Sequence, residues 1–133
     1  MRNQQGFTLI EVLVVCTMLG ILAAIAVPKF TNSLAMANTA KLQTDLQTLD
    51  AAIVMYQMEN GKDPAAVSDL ADYVTDIDRL KPPVGKCRLK DGKTVEIKDT
   101  AYSLKDVSGA KDNTETVQKR AVCDDMTAGY FGK

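Results

Sequence analysis

The residue of this chain with the clearest chemical consequence is Glu11, an acidic side chain in a long apolar run near the N terminus. The segment from Phe7 to Pro28 has 22 residues and a single charge, that of Glu11. As a helix it would span roughly 33 Å, at a rise of about 1.5 Å per residue, which is enough to cross a bilayer. A carboxylate at such a depth costs up to roughly 2.5–3.5 kcal/mol unless it has a partner. The sequence therefore predicts a membrane-length helix whose one acid requires a positively charged partner.

Cleavage of the chain after Gly6 would supply that partner. It would create an α-amino group on Phe7, and in an assembly the amine of one copy would meet Glu11 of another. This pairing would favour the addition of a subunit over the isolated subunit. Residues 6–11 therefore predict an assembly site.

The sequence Gly-Phe-Thr-Leu-Ile-Glu at residues 6–11 resembles the processing site of type IV pilins and type II secretion pseudopilins. The resemblance implies a class III leader peptide at residues 1–6, which a membrane prepilin peptidase cuts between Gly6 and Phe7 before methylating the Phe7 amine. It implies a role for Glu11 in filament assembly, and Pro28 resembles the helix-breaking proline of many such subunits. An inner-membrane assembly platform and its ATPase are further implied partners. The match covers about residues 1–30.

Two other interpretations of this segment remain open. A secretory signal peptide has a similar charged and apolar pattern, and Ala24-Ile25-Ala26 supplies a small-x-small cleavage sequence. The length of the apolar run and the presence of Glu11 argue against it. The second is an uncleaved single-pass anchor, in which Glu11 would lack its counter-ion.

The helical pattern continues beyond Pro28. Apolar side chains recur at spacings of three, four or eight residues, at Phe30, Leu34, Leu42, Leu46, Leu49, Ile53 and Tyr56. Such a stripe is typical of a helix with one buried face. The other positions are polar, among them Asn32, Lys41, Gln43, Asp45, Gln47 and Asp50. We therefore expect residues 29–60 to form an amphipathic helix that ends at Asn60-Gly61.

Gly20 and Pro28 mark a weak stretch within the same helix. Pro28 lacks the N–H that would bond to Ala24 and clashes with that carbonyl, and Gly20 costs about 1 kcal/mol relative to Ala. We expect a kink or local melting between Gly20 and Pro28. The helix then has a transmembrane or filament-core half at residues 7–28 and an amphipathic half at residues 29–60.

Residues 61–133 predict one small C-terminal domain. A short helix is expected at Pro64 to Val74, with Asp63 or Ser68 as its cap. Asp91-Gly92 is a strong hairpin signal between strands at 86–90 and 93–98. Further strands are expected at 101–106 and 116–123, with an exposed loop at 108–114 between them. The predicted fold class is α+β, with a long N-terminal helix on a small antiparallel sheet, which is similar to the type IV pilin architecture.

Three cysteines divide between the two halves of the chain. Cys16 lies in the apolar run and behaves as a small apolar side chain. Cys87 and Cys123 lie in the polar half, where a disulfide between them would close a C-terminal loop and stabilise the domain by about 3–4 kcal/mol. Such a bridge requires an oxidising compartment. Two unpaired buried thiols are the alternative.

No residues for catalysis stand out in this sequence. The chain has no His and no Trp, and it contains no Gly-rich phosphate loop, nucleophile elbow or Cys-x-x-Cys pair. Its formal net charge of -1 gives no basic excess for nucleic acid. We therefore predict a protein that is not an enzyme and has no cofactor.

Two acidic pairs, Asp76 with Asp78 and Asp124 with Asp125, supply oxygen atoms of the kind that calcium prefers. The resemblance to the major pseudopilins of type II secretion implies calcium binding in the C-terminal loop. The spacing matches no closed calcium motif, however, and calcium takes about 6–8 oxygen ligands. Solvated surface carboxylates are the favoured interpretation, and no metal site is predicted.

The leading hypothesis is a prepilin that polymerises through its N-terminal helix into a type IV pilus or a type II secretion-like pseudopilus. The precursor would be a single-pass protein of the inner membrane, with its C-terminal domain outside the cytoplasm, before extraction into an extracellular pilus or a periplasmic pseudopilus. The alternative is a monomeric, membrane-anchored extracytoplasmic binding domain. A DNA-uptake pilin has no specific support, because the charge is near neutral and aromatic residues are few.

Overall fold

A computed structural model describes residues 5–109 and 116–132 of the chain. Helix α1 spans Leu9–Asn60, and four strands follow: β1 (Gly85–Arg88), β2 (Thr94–Ile97), β3 (Ser103–Gly109) and β4 (Thr116–Val122). Three short 3₁₀ turns lie at Val67–Leu70, Ile77–Arg79 and Ala128–Tyr130. The fold class is therefore α+β, as predicted. The chain divides into two compact units, an N-terminal unit (Met1–Leu34) and a C-terminal unit (Ala35–Lys133).

The N-terminal unit is a single helical segment whose described side chains are all exposed. Helix α1 is long and apolar enough to cross a membrane, and its most apolar window has a mean hydropathy of 2.6 with no residue buried. The exposed side chains include Phe30 and Leu34, which the sequence pattern had placed on the buried stripe. No residue from 5 to 34 covers the apolar surface of this unit.

The core of the C-terminal unit lies between one face of α1 and the strands. Leu42, Leu46, Leu49 and Ile53 of α1 are buried, as the stripe predicts. They share a cluster with residues from every later part of the unit, including Leu70, Cys87, Tyr102, Ala121 and Phe131. Tyr56, the last member of the predicted stripe, packs against this cluster and is partly buried. The amphipathic half of α1 is thus the largest contributor to the core.

Polar side chains of α1 fasten the helix to the strands. Thr39 is buried, and its Oγ1 accepts a hydrogen bond from the Arg88 N–H at 2.6 Å. Asp50 accepts hydrogen bonds from the Arg120 guanidinium at 2.8 Å and from the Ala121 N–H at 2.9 Å. Both partners lie far along the sequence from α1, so these contacts fix tertiary structure rather than the helix itself.

Asp45 is the one acidic side chain of α1 that is buried. Its Oδ2 accepts hydrogen bonds from the Tyr102 hydroxyl at 2.7 Å and from Lys41 Nζ at 2.5 Å. Lys41 Nζ also donates to the Lys81 carbonyl at 2.8 Å. Burial and the bond to Asp45 raise the pKa of Tyr102 well above its usual range. The polar positions that predicted a solvated face thus include Asp45 and Asp50, which face the domain instead.

The strands form two separate antiparallel pairs. β1 pairs with β2 around the predicted Asp91-Gly92 turn, and Gly92 has φ +88°, as such a turn requires. β3 pairs with β4 from Ser103 opposite Val122 outward to Gly109 opposite Thr116. Most of the predicted loop, 110–114, lies outside the described residues, while Ser108 and Gly109 extend β3. The prediction is confirmed in its four strands and their antiparallel pairing, with β3 beginning two residues later and ending three residues later than predicted.

The predicted helix from Pro64 to Val74 is wrong. Only Val67–Leu70 is helical, as a 3₁₀ turn. The expected caps, Asp63 and Ser68, are not used. Instead Asp69 turns back and accepts the N–H groups of Ala65 and Ala66, at 2.9 and 3.1 Å. These bonds cap the start of the 3₁₀ turn, which then ends at Leu70.

Candidate assembly site at the N terminus

Thr8 and Glu11 hydrogen-bond to each other at the first turn of α1. The Thr8 N–H and the Thr8 hydroxyl both donate to Glu11 Oε2, at 3.1 and 2.9 Å. The Glu11 N–H donates back to Thr8 Oγ1 at 3.4 Å. This reciprocal arrangement is a capping box, in which an N-cap threonine and a glutamate three residues later satisfy each other's amides. The helix accordingly begins at Leu9.

The capping box gives Glu11 two hydrogen-bond donors within its own chain. The expectation that the carboxylate has no partner within the apolar run is therefore wrong as regards hydrogen bonds. These donors carry no positive charge. The pairing of Glu11 with the Phe7 amine of a neighbouring copy stays a prediction. Glu11 is exposed on the N-terminal unit.

Gly6 and Phe7, the predicted cleavage residues, lie just before the helix. Phe7 is 87% exposed. A Cβ added at Gly6 would meet no atom within 4 Å, and the backbone there is outside the left-handed region. The described part of the fold therefore gives no reason for a glycine at this position, and the cleavage after Gly6 stays a prediction. Residue 5 is the first described residue, so most of the predicted leader lies outside the described part.

Gly20 and Pro28 are both helical in this structure. α1 is continuous from Leu9 to Asn60 and includes Pro28. The hydroxyl of Thr31 donates to the Val27 carbonyl at 2.9 Å, close to the backbone that the proline disturbs. The expected local melting is not present in this structure, because residues 20–28 are helical throughout. A kink between Gly20 and Pro28 stays a prediction.

Cys87 and Cys123 are both fully buried, in the same core cluster. They are free thiols in this structure. Burial raises the pKa of Cys87 above its usual value, and burial with the nearby Asp124 and Asp99 carboxylates raises the pKa of Cys123 to about 12. Cys16 is exposed on the N-terminal unit. The disulfide between Cys87 and Cys123 stays a prediction. The burial of both thiols in one cluster is compatible with it.

The acidic pairs do not form a metal centre of the usual kind. Within residues 5–109 and 116–132, no group of three or more His, Cys, Asp or Glu side chains is placed to hold a metal ion. Asp76 is left-handed, with φ 54°, and its carbonyl accepts the Arg79 N–H at 2.8 Å at the turn that contains Asp78. Asp124 accepts the backbone N–H groups of Lys98 and Asp99, while Asp125 pairs with Lys105.

Known proteins share the N-terminal part of this chain. The prokaryotic N-terminal methylation motif matches residues 1–27. Type II secretion system core protein G of Vibrio cholerae is 41% identical over 75 residues, covering 56% of this chain and 51% of the relative. The protein of the same name from Pseudomonas aeruginosa is 36% identical over 90 residues, covering 68% of this chain and 59% of the relative. The chain spans about half the length of the curated relatives it matches.

The methylation motif covers the residues of the capped helix start, and the relatives carry the name of a type II secretion protein. The chain belongs to the type IV pilin and pseudopilin superfamily. No solved structure gives a significant match. As a member of this superfamily, the chain combines a prepilin N terminus with an α+β C-terminal unit.

Sequence reasoning missed three groups of residues that this pilin-like chain uses. The Thr8–Glu11 capping box was visible as a Thr-x-x-Glu pattern before an apolar run. The Asp45 and Asp50 anchors had no local signal, because their partners lie 57 and 70 residues away. Asp99, which accepts the Asp124 N–H, was likewise invisible without the tertiary structure.

Proposed function

We propose that this chain is a prepilin whose mature form begins at Phe7 and polymerises through α1 into a pseudopilus of type II secretion. The observation that carries the proposal is the junction of Gly6 and Phe7 with a capped helix whose apolar side chains are all exposed through Leu34. A prepilin peptidase would cut this junction and methylate the Phe7 amine. The methylated amine would then face Glu11 of a neighbouring subunit.

The apolar surface of the N-terminal unit supports polymerisation. Large side chains from Leu9 to Val27 are between 42% and 82% exposed in the single chain. At about 25 cal/mol per Å² of apolar surface, leaving this area in water is strongly unfavourable. A bilayer would cover it in the precursor, and neighbouring α1 helices would cover it in the filament. An assembly platform and its ATPase would drive the transfer between the two environments.

The relatives favour a pseudopilus over a surface pilus, because those compared bear the name type II secretion system core protein G. In this proposal the C-terminal unit lies on the extracytoplasmic side of the inner membrane. Oxidation would then join Cys87 on β1 to Cys123 after β4, and so tie together two strand pairs that share no ladder. Adhesion and nucleic-acid binding form no part of the proposal.

The first experiment is the intact mass and N-terminal residue of the protein from its native membrane, measured without reducing agent. We expect a chain that starts at methylated Phe7 and is two hydrogens lighter than the reduced form. A chain that starts at Met1, or after Ala26, contradicts the proposal. Gly6→Leu is expected to leave uncleaved precursor, whereas Gly20→Leu, at an equally open position of the N-terminal unit, is the control that should still be cleaved.

The capping box gives specific support to a second candidate, a monomeric membrane-anchored binding domain. In that case Glu11 would serve only to start the helix, and assembly would play no part. Two substitutions distinguish the candidates. Glu11→Gln keeps a side chain that suits a capping box but removes the charge, whereas Thr8→Ala removes the cap and keeps the charge.

For the prepilin we expect Glu11→Gln to abolish filaments, because the Phe7 amine of the neighbour loses its counter-ion. Thr8→Ala should weaken the helix start by about 1 kcal/mol and only reduce the yield. The measurement is the amount of sheared or cross-linked polymer relative to membrane precursor. Normal polymer from Glu11→Gln would contradict charge pairing and leave helix capping as the role of Glu11.

A further inference from the structure

Two aspartates join the connection between β2 and β3 to the segment that follows β4. Asp124 Oδ2 accepts the Lys98 N–H at 2.9 Å, and Asp124 Oδ1 accepts the Asp99 N–H at 3.0 Å. In return Asp99 Oδ2 accepts the Asp124 N–H at 2.6 Å. We call this set of three hydrogen bonds the Asp99–Asp124 clasp. It crosses 25 residues of sequence and links the two strand pairs.

The backbone around the clasp is held in a tight turn. Asp124 and Asp125 both have left-handed backbones, with φ 48° and 62°. On either side, Cys123 and Met126 exchange two backbone hydrogen bonds, at 3.0 and 2.9 Å. Asp and Asn are among the residues that adopt this conformation most readily. The turn therefore presents the Asp124 carboxylate and the Asp124 N–H to the β2–β3 connection at the same time.

An open groove at this place is acidic, since Glu96, Asp99, Asp124 and Asp125 line it together with Lys98. This is where the resemblance to major pseudopilins would direct a calcium ion. The residues do not fit that role. Both oxygens of Asp124 and one of Asp99 already face amide hydrogens, and calcium takes about 6–8 oxygen ligands. One oxygen of Asp125 is paired with the Lys105 ammonium, which a cation would have to displace.

We infer that the Asp99–Asp124 clasp closes the C-terminal segment directly, through carboxylates on backbone amides, and that this unit folds and holds its stability independently of calcium. In a calcium site the aspartates repel one another until the ion binds. In the clasp each carboxylate has its donors within the chain. This inference concerns the C-terminal unit and does not rest on the proposed function.

The test is thermal unfolding of the full chain in detergent micelles, with calcium chloride or with the chelator EGTA. Wild-type protein is expected to show the same midpoint in both. Asp124→Asn tolerates the left-handed backbone but turns a donor toward one of the two amides, so its midpoint should fall by about 5–15 °C. The fall should be equal with calcium and with EGTA.

Two further variants make the result specific. Asp99→Asn keeps an oxygen for the single Asp124 N–H, so it should lower the midpoint less than Asp124→Asn. Asp125→Asn removes only an exposed ion pair and should change it by about 2 °C or less. If Asp124→Asn does not fold, protection of the Lys98 and Asp99 amides from hydrogen exchange in wild-type protein with EGTA replaces it as the readout.

Calcium-dependent stability would overturn the inference, because an ion that binds only the folded state raises its midpoint. A rise with calcium in wild-type protein that Asp99→Asn, Asp124→Asn and Asp125→Asn all remove would establish a metal site. An unchanged midpoint in Asp124→Asn, or rapid exchange of both amides with EGTA, would show that the clasp does not hold the segment. None of these measurements depends on processing or polymerisation.

Discussion

The two units of this chain differ in where their apolar side chains find cover. In the C-terminal unit, Leu42, Leu46 and Leu49 have no exposed surface, because the strands and the last turn pack on them. In the N-terminal unit, Leu13, Leu19 and Leu22 are each more than half exposed. All six leucines belong to α1. The same residue type on the same helix is thus covered by its own chain in one unit and left uncovered by the described part of the chain in the other.

A matched pair of leucines gives the largest expected effect. Leu49→Ala should destabilise the dispersed chain by about 2–5 kcal/mol, because it opens a cavity in the core. Leu22→Ala, at 63% exposure, should leave that stability unchanged within about 0.5 kcal/mol. Urea unfolding in micelles, followed through the C-terminal unit, measures both.

The yield of polymer should depend on the exposed leucine of this pair. Leu22→Ala is expected to lower the yield of filament although the dispersed chain folds normally. If it instead destabilises the dispersed chain as much as Leu49→Ala, the apolar surface of the N-terminal unit is covered within the monomer and the comparison fails.

The next effect comes from the buried thiols, which should make the stability of the C-terminal unit depend on pH. In reduced protein, an unfolded thiol ionises above about pH 8.5, whereas burial and nearby carboxylates raise the pKa of Cys123 to about 12. Between these values the unfolded state binds fewer protons than the folded state, so stability is present below pH 8.5 and falls as the pH rises. From pH 8 to pH 10 the expected loss from Cys123 is about 2 kcal/mol.

Urea unfolding at both pH values, with and without a reductant, checks this prediction. A disulfide between Cys87 and Cys123 removes the titration, so the oxidised protein should lose much less stability over the same range. Cys16→Ser is the control, because that thiol is exposed and should leave the slope unchanged. Equal stability of the reduced protein at pH 8 and pH 10 would show that Cys123 is not buried as a neutral thiol.

A pair of glycine substitutions should change the stability of the two units with opposite signs. Gly132 has φ +103°, and a Cβ there would lie 2.7 Å from Gln43 Nε2, which donates to the Phe131 carbonyl. Gly132→Ala should therefore cost about 1–3 kcal/mol. Gly20 lies in an open helical position, so Gly20→Ala should stabilise the helix by about 1 kcal/mol.

Hydrogen exchange of the helix amides checks the second substitution, with about fivefold slower exchange around residue 20 expected. If the predicted weakness between Gly20 and Pro28 is needed in the filament, Gly20→Ala should also lower polymer yield. Loss of stability in Gly20→Ala would mean that the position is not open to solvent or lipid as described.

The sequence could predict those features whose signal lies in residues close together along the chain. The site at residues 6–11 is a linear motif beside an apolar run, and the β1–β2 hairpin depends on two adjacent turn residues, so both were accessible without tertiary structure. The helix predicted at 64–74 is limited to Val67–Leu70. The Asp69 carboxylate accepts the Ala65 and Ala66 amides and so caps the start of this turn, but no local signal in the sequence indicated that the turn ends at Leu70.

The polar residues of α1 failed for a different reason. A pattern of periodic apolar positions assigns every polar residue to solvent, and it has no way to place Asp45 beneath Tyr102 or Asp50 beside Arg120. Those pairings depend on how the strands return to the helix. The exposure of Phe30 and Leu34 is the converse case, because their periodic spacing continues the stripe into a unit whose described residues do not pack against them.

The anchoring of α1 by distant residues also sets an order for synthesis. The ribosome makes the buried face of α1 early, whereas Tyr102, Arg120 and Phe131, which cover or fasten it, are made later. Until translation has passed Phe131, a nascent chain exposes Leu42, Leu46 and Leu49 to any protease or chaperone nearby. A chain that is released before that point therefore differs from the complete chain in its exposed core leucines, which a protease or chaperone can recognise.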